Sequence, residues 1–144
     1  MAKSIRHTLF YPHPPHILWE YLTQAELIAQ WLMPNDFQPI VGHTFQFRTP
    51  PMPNFSFDGI IYCQVLELVP LQKLTYSWKG GPAPGEITLD SLVEWTLTAK
   101  EQGTELLLEH SGFVNENLTM YTIMERGWLQ NMQKVEKLIQ PTMP

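Results

Sequence analysis

The sequence predicts an α+β fold of order β-α-α-β-β-β-β-β-α, with a curved antiparallel sheet wrapped around a long C-terminal helix. Three observations carry this. Apolar residues alternate through most of residues 43–111, and short turn-forming segments separate the runs. Residues 116–139 instead repeat their apolar residues at helical spacing, in a stripe rich in aromatics and methionine. Successive strands joined by short turns, with helices set apart, are the α+β pattern. At 144 residues the chain is expected to form one domain.

Residues 3–11 alternate Ile5, His7 and Leu9 against Arg6, Thr8 and Phe10, and read as the first strand. Prolines 12, 14 and 15 end it. A short helix over 15–22 can begin on proline, because the first turn needs no N–H. Thr23-Gln24-Ala25-Glu26 has the form of a capping box, opening a second helix that carries Leu27, Ile28, Trp31 and Leu32 and stops before Pro34. Residues 43–49 put Phe45 and Phe47 on one face and Gln46 and Arg48 on the other, so Arg48 is expected in solvent.

Residues 55–69 read as one long strand with a bulge or bend at Gly59. After Pro70, residues 71–79 return with Leu74, Tyr76 and Trp78 inward. GGPAPG at 80–85 is a turn-forming loop. Residues 86–99 turn Ile87, Leu89, Val93, Trp95 and Leu97 inward, and 104–111 do the same with Leu106, Leu108 and His110. In the last helix, with Asn115 as expected N-cap, Tyr121, Met124, Trp128, Met132, Val135 and Ile139 share one face. Arg126, Gln130, Gln133 and Lys137 take the other. Such a helix is about 36 Å long, enough to cross a whole sheet. Gly127 is expected to permit close approach of helix and sheet.

Composition removes several functions. Charged residues are 16% of the chain and the formal charge is −5, so the basic footprint of a nucleic-acid binder is missing. The same charge disfavours a grip on anionic membranes. No apolar run approaches the roughly 20 residues of a membrane span. A lone cysteine, Cys63, excludes an internal disulfide and, with no secretory segment, points to the cytoplasm.

The usual catalytic and phosphate-binding signatures are absent. His13-Pro-Pro-His16 has the spacing of a metal pair, but its prolines make it an extended turn without a third ligand, so no metal and no cofactor are expected. Cys63, inside a strand, is expected to be an inert thiol. His110 has two readings: a core histidine satisfied by hydrogen bonding, or a polar group inside a ligand cavity. The aromatic and methionine residues likewise suit either solid core or a small apolar pocket lined by Phe45, Phe47, Tyr76, Trp78, Trp95, His110, Tyr121, Met124 and Trp128.

Three stretches resemble a known family: HILWEYLTQAELIAQWL at 16–32, the Gly59 strand leading to LVPLQKLTYSWKG at 68–80, and GTELLLEHSGF at 103–113 followed by Gly127-Trp128. Over about residues 5–140 the chain resembles the SRPBCC superfamily, with its START-like and Bet v 1-like members. Within it, the chain is most similar to the family named for the activator of heat-shock protein 90 ATPase. The resemblance implies a helix-grip fold with a cavity between sheet and last helix. It places the proline-rich loop at 50–53 beside the cavity mouth. Family members bind apolar ligands, act on polyketide-like compounds or contact a chaperone. Three functions follow as expectations. The first is binding of a small hydrophobic or aromatic molecule. The second is a cyclase- or aromatase-like enzyme using His110, Tyr76 and Glu125. The third is a stress-linked module that contacts a chaperone. The sequence leaves a homodimer open.

Overall fold

The structure is a computed structural model describing residues 3–139. The strands are β1 (Lys3–Tyr11), β2 (Thr44–Arg48), β3 (Ile60–Val69), β4 (Lys73–Gly80), β5 (Leu89–Lys100) and β6 (Gly103–Phe113). The helices are α1 (Pro15–Thr23), α2 (Ala25–Trp31) and α3 (Leu118–Ile139). All strands join one curved antiparallel sheet in the order β1-β6-β5-β4-β3-β2. The long crossing from β1 through α1 and α2 to β2 puts the first two strands on opposite edges. α3 lies in the concave face, packed against β1 and α2. This is the expected α+β helix-grip fold.

Alternation holds where the sequence is most regular. Phe45 and Phe47 of β2, Leu74, Tyr76 and Trp78 of β4, and Leu106, Leu108 and His110 of β6 are all buried. On α3, Trp128, Met132 and Val135 are buried while Arg126, Gln130, Gln133 and Lys137 are exposed, as the helical period predicts. Val93 of β5 pairs with His110 of β6, so both inward rows meet under α3.

Four local expectations are corrected. Thr23 does not cap α2: it is the last residue of α1, and its hydroxyl donates back to the Trp19 carbonyl at 2.7 Å. The N-cap is Gln24, without a side-chain bond. Asn115 does not cap α3 either. Residues 115–117 form a 3-10 turn, in which the Asn117 side chain accepts from the Val114 N–H at 3.0 Å and donates to the Thr88 carbonyl at 2.9 Å. Ile87 lies outside β5 and is exposed, because β5 begins only at Leu89. β3 begins at Ile60, not Phe55. Pro53–Phe55 coil into a 3-10 turn, and the irregularity inside β3 falls between Val65 and Glu67.

Gly59 is the bend that precedes β3. Its φ is +92°, and a Cβ there would collide with the Thr49 carbonyl oxygen. The Thr49 N–H in turn donates to the Gly59 carbonyl at 2.8 Å, closing the neck of the loop between β2 and β3. Gly59→Ala should therefore cost more than about 1 kcal/mol, since alanine fits neither the φ nor the space. A urea midpoint matching the wild type would contradict this.

Candidate functional site

A partly open cavity of about 470 Å³ lies between α3 and the sheet, within the range typical of small-molecule sites. Its outer wall is the β2–β3 loop, through Thr49, Met52, Asn54, Phe55, Ser56 and Phe57. Its floor is Ile61 of β3, Trp78 of β4 and Leu89 of β5, with Gly80, Gly81 and Thr88 where β4 leads toward β5. The end of α2 adds Leu32 and Met33. The helical wall is α3, chiefly Met120, Ile123, Met124, Gly127, Trp128 and Asn131, with Thr119 near its start and Glu116 and Asn117 in the 3-10 turn before it.

The loop is held at its base. The Asp58 N–H donates to the Gly81 carbonyl at 2.8 Å, and Met52 and Phe57 exchange backbone bonds of 2.9 and 3.3 Å. Its prolines end regular pairing, so the loop leaves the sheet and stands over the gap beside α3. Gly127 faces open space, since a Cβ there would meet nothing within 4 Å. Its expected role in close helix–sheet approach is thus corrected: it widens the cavity.

Of the nine residues expected to line a pocket, Trp78, Met124 and Trp128 line this one. Phe45 instead packs edge-on against Phe37, Phe47 and Tyr76, with Phe45 and Tyr76 centroids 5.4 Å apart. Trp95 stacks edge-on with Trp31 at 5.8 Å, and its indole N–H donates to the Tyr76 hydroxyl at 3.0 Å. Tyr121 sits on the β1 side of α3, against Phe113, with its hydroxyl donating to the Ser4 carbonyl at 3.3 Å.

His110 is a locked core histidine. The Trp128 indole N–H donates to its Nδ1 at 2.9 Å. The Ser91 hydroxyl donates to the Trp78 carbonyl at 2.7 Å, which leaves the Ser91 oxygen to accept from His110 Nε2–H at 2.8 Å. An indole can only donate, so this chain of bonds fixes the neutral imidazole with its proton on Nε2. Burial pushes the His110 pKa down to about 3. The imidazole therefore positions the Trp128 ring, which forms part of the cavity wall. Ser91 is the member that strand reading passed over, although it falls in phase between Leu89 and Val93.

The acid/base set does not assemble. His110 and Tyr76 are buried outside the cavity, and burial pushes the Tyr76 phenol pKa up. Glu125 is exposed on α3, where its carbonyl accepts from His7. The three do not open into one cavity, which removes the arrangement expected of a cyclase-like site.

Cys63 is buried, and burial, reinforced by Asp36, pushes its pKa up and keeps it a thiol. His13 turns from His16 to α3, where its Nε2 lies 3.5 Å from a Glu136 carboxylate oxygen, and His16 is exposed. Arg48 is exposed and donates to the Gln46 side chain at 2.7 Å. Among the described residues, no three His, Cys, Asp or Glu side chains are grouped to hold a metal ion, and no helix is long and apolar enough to cross a membrane.

The sequence profile of the family described as activator of Hsp90 ATPase homolog 1-like protein matches residues 12–140. The chain belongs to this family. No curated protein matches it. Among solved structures, this member of the activator of Hsp90 ATPase homolog 1-like family is similar to a Mesorhizobium loti protein. The two are 36% identical over 99% of this chain and 100% of that one, with a TM-score of 0.86. CalU16 from Micromonospora echinospora shares the fold at 24% identity, over 97% of this chain and 78% of that one, with a TM-score of 0.75. DynU16, from the dynemicin biosynthetic locus, does so at 19% identity, over 98% of this chain and 48% of that one, with a TM-score of 0.75.

Proposed function

We propose that the chain binds a small hydrophobic or aromatic molecule in the cavity between the β2–β3 loop and α3. The observation that carries this reading is the cavity itself. It is partly open, and it is walled by Trp78, Trp128 and a set of methionines that adapt to varied shapes. Two of the neighbouring polar handles are already bonded inward: the Trp128 N–H donates to His110, and the Trp95 N–H donates to Tyr76. The walls therefore present rings and methyls, with polar atoms supplied mainly by Thr, Ser and Asn.

Gly127→Leu provides a test that leaves the fold intact. Its Cβ enters open space and leucine is a better helix former than glycine, by about 0.5–1 kcal/mol. Native mass spectrometry and thermal shift against lipids and aromatic metabolites should find a ligand that raises the wild-type Tm. Gly127→Leu should match or exceed the wild-type Tm without ligand and show no ligand shift. A screen without hits, or a Gly127→Leu protein that binds equally well, would sink the proposal.

The family description supports a second reading, contact with the heat-shock protein 90 ATPase. Stimulation of that ATPase by the purified chain would favour it, and no stimulation at high excess would count against it.

A further inference from the structure

The cavity has an electrostatic character that narrows its ligand. Among the described residues, the exposed Glu116 is the single charged residue that lines it, and no Lys, Arg or His does. Several of the chain's cations are engaged elsewhere: Lys73 pairs with Glu67 and Glu94, Lys79 with Asp90, and Arg6 with Glu109. The start of α3 offers roughly half a positive charge, which offsets Glu116 only in part. The net charge of −5 adds to the same sign. A carboxylate entering here would lose water, find no cation and face Glu116.

Resting on the ligand-binding reading above, we infer that the cavity selects apolar molecules bearing an ammonium group, and disfavours the corresponding carboxylates. The apolar body lies against Trp78, Met124 and Trp128. The ammonium remains at the mouth with the exposed Glu116 carboxylate, so little of its hydration is lost. Asn131, half-buried on the same flank of α3, offers an amide to neutral polar groups farther in.

The test uses three compounds of one shape, naphthylethylamine, naphthylethanol and naphthylacetate, titrated by calorimetry against the full chain at low salt. The amine should bind about tenfold more tightly than the carboxylate, with the alcohol between them, as expected for one partly screened charge. Glu116→Gln should shrink the amine–carboxylate difference to about twofold or less. Glu101→Gln, at the β5–β6 turn, should leave it unchanged, which separates a local charge from net charge. Circular dichroism checks that both variants fold. Carboxylate binding as tight as amine binding would overturn the inference while hydrophobic binding stands. A preference that survives Glu116→Gln would also overturn it. Failure of all three compounds to bind would count against both readings.

Discussion

Replacing Trp128 by alanine is expected to destabilise the protein by about 3–5 kcal/mol, the range for removing a buried aromatic. The side chain is 3% exposed, and its ring lies 5.2 Å from Trp78 and 5.6 Å from Trp95. It joins α3 to β4 and β5 through these rings and to β6 through His110. Truncation also leaves His110 Nδ1 buried without a donor, at a cost of about 1–3 kcal/mol within that total. Trp128→Phe separates the two effects, because it keeps most of the volume and loses the bond. It should cost about 1–2 kcal/mol. Urea denaturation measures both, and a loss under about 1 kcal/mol for the alanine variant would mean that α3 is seated differently.

The second large effect is on pH. His110 ionises near 3 in the folded chain because it is buried, whereas an unfolded histidine ionises near 6.5. Between these values the unfolded chain binds the extra proton, so stability rises with pH there and falls as the solution is acidified. The stabilisation is fully present above about pH 6.5, and about 2 kcal/mol of it is lost by about pH 5. Protonation would put the ring's second hydrogen on Nδ1, which carries none in the neutral tautomer, facing the Trp128 N–H. His110→Gln can keep both bonds, accepting from Trp128 and donating to Ser91, but does not titrate. The difference in stability between wild type and His110→Gln should therefore shift by about 2 kcal/mol from about pH 7 to about pH 5. Parallel curves would show that His110 is not a buried neutral imidazole.

The sheet and the last helix were legible because their signals are periodic. Phe45/Phe47, Leu74/Tyr76/Trp78 and Leu106/Leu108/His110 repeat every second residue, and the Trp128 stripe repeats at the helical period. Ends were less legible, because they depend on local competition. The Thr23 hydroxyl had a carbonyl of its own helix within reach, and the Gly59 bend with the Pro53 turn took residues that alternation had assigned to β3. The cavity was legible only in part. Helical spacing identifies an apolar stripe centred on Trp128, but not which flank of it meets packed side chains. Tyr121, Met132 and Val135 meet sheet and core. Met120, Gly127 and Asn131, about 60–100° round the helix, meet the opening. Likewise, Phe45, Tyr76 and Trp95 carry no sign in sequence that they satisfy one another. The enclosing loop between Thr49 and Gly59 has no period at all, and its prolines alone marked it.

The low charge and many aromatics thus divide into two roles. One set makes a solid layer beneath β2, β4 and β5, and Trp78 and Trp128 face both that layer and the cavity. The proposed placement of a ligand in this cavity is tested most directly by amide chemical-shift mapping by NMR, titrating the neutral naphthylethanol into the labelled chain. Saturable shifts are expected to concentrate in the Thr49–Phe57 loop and in Glu116–Asn131, with β1, at the far edge of the sheet, quiet. Shifts centred elsewhere, or none at saturating concentration, would contradict it.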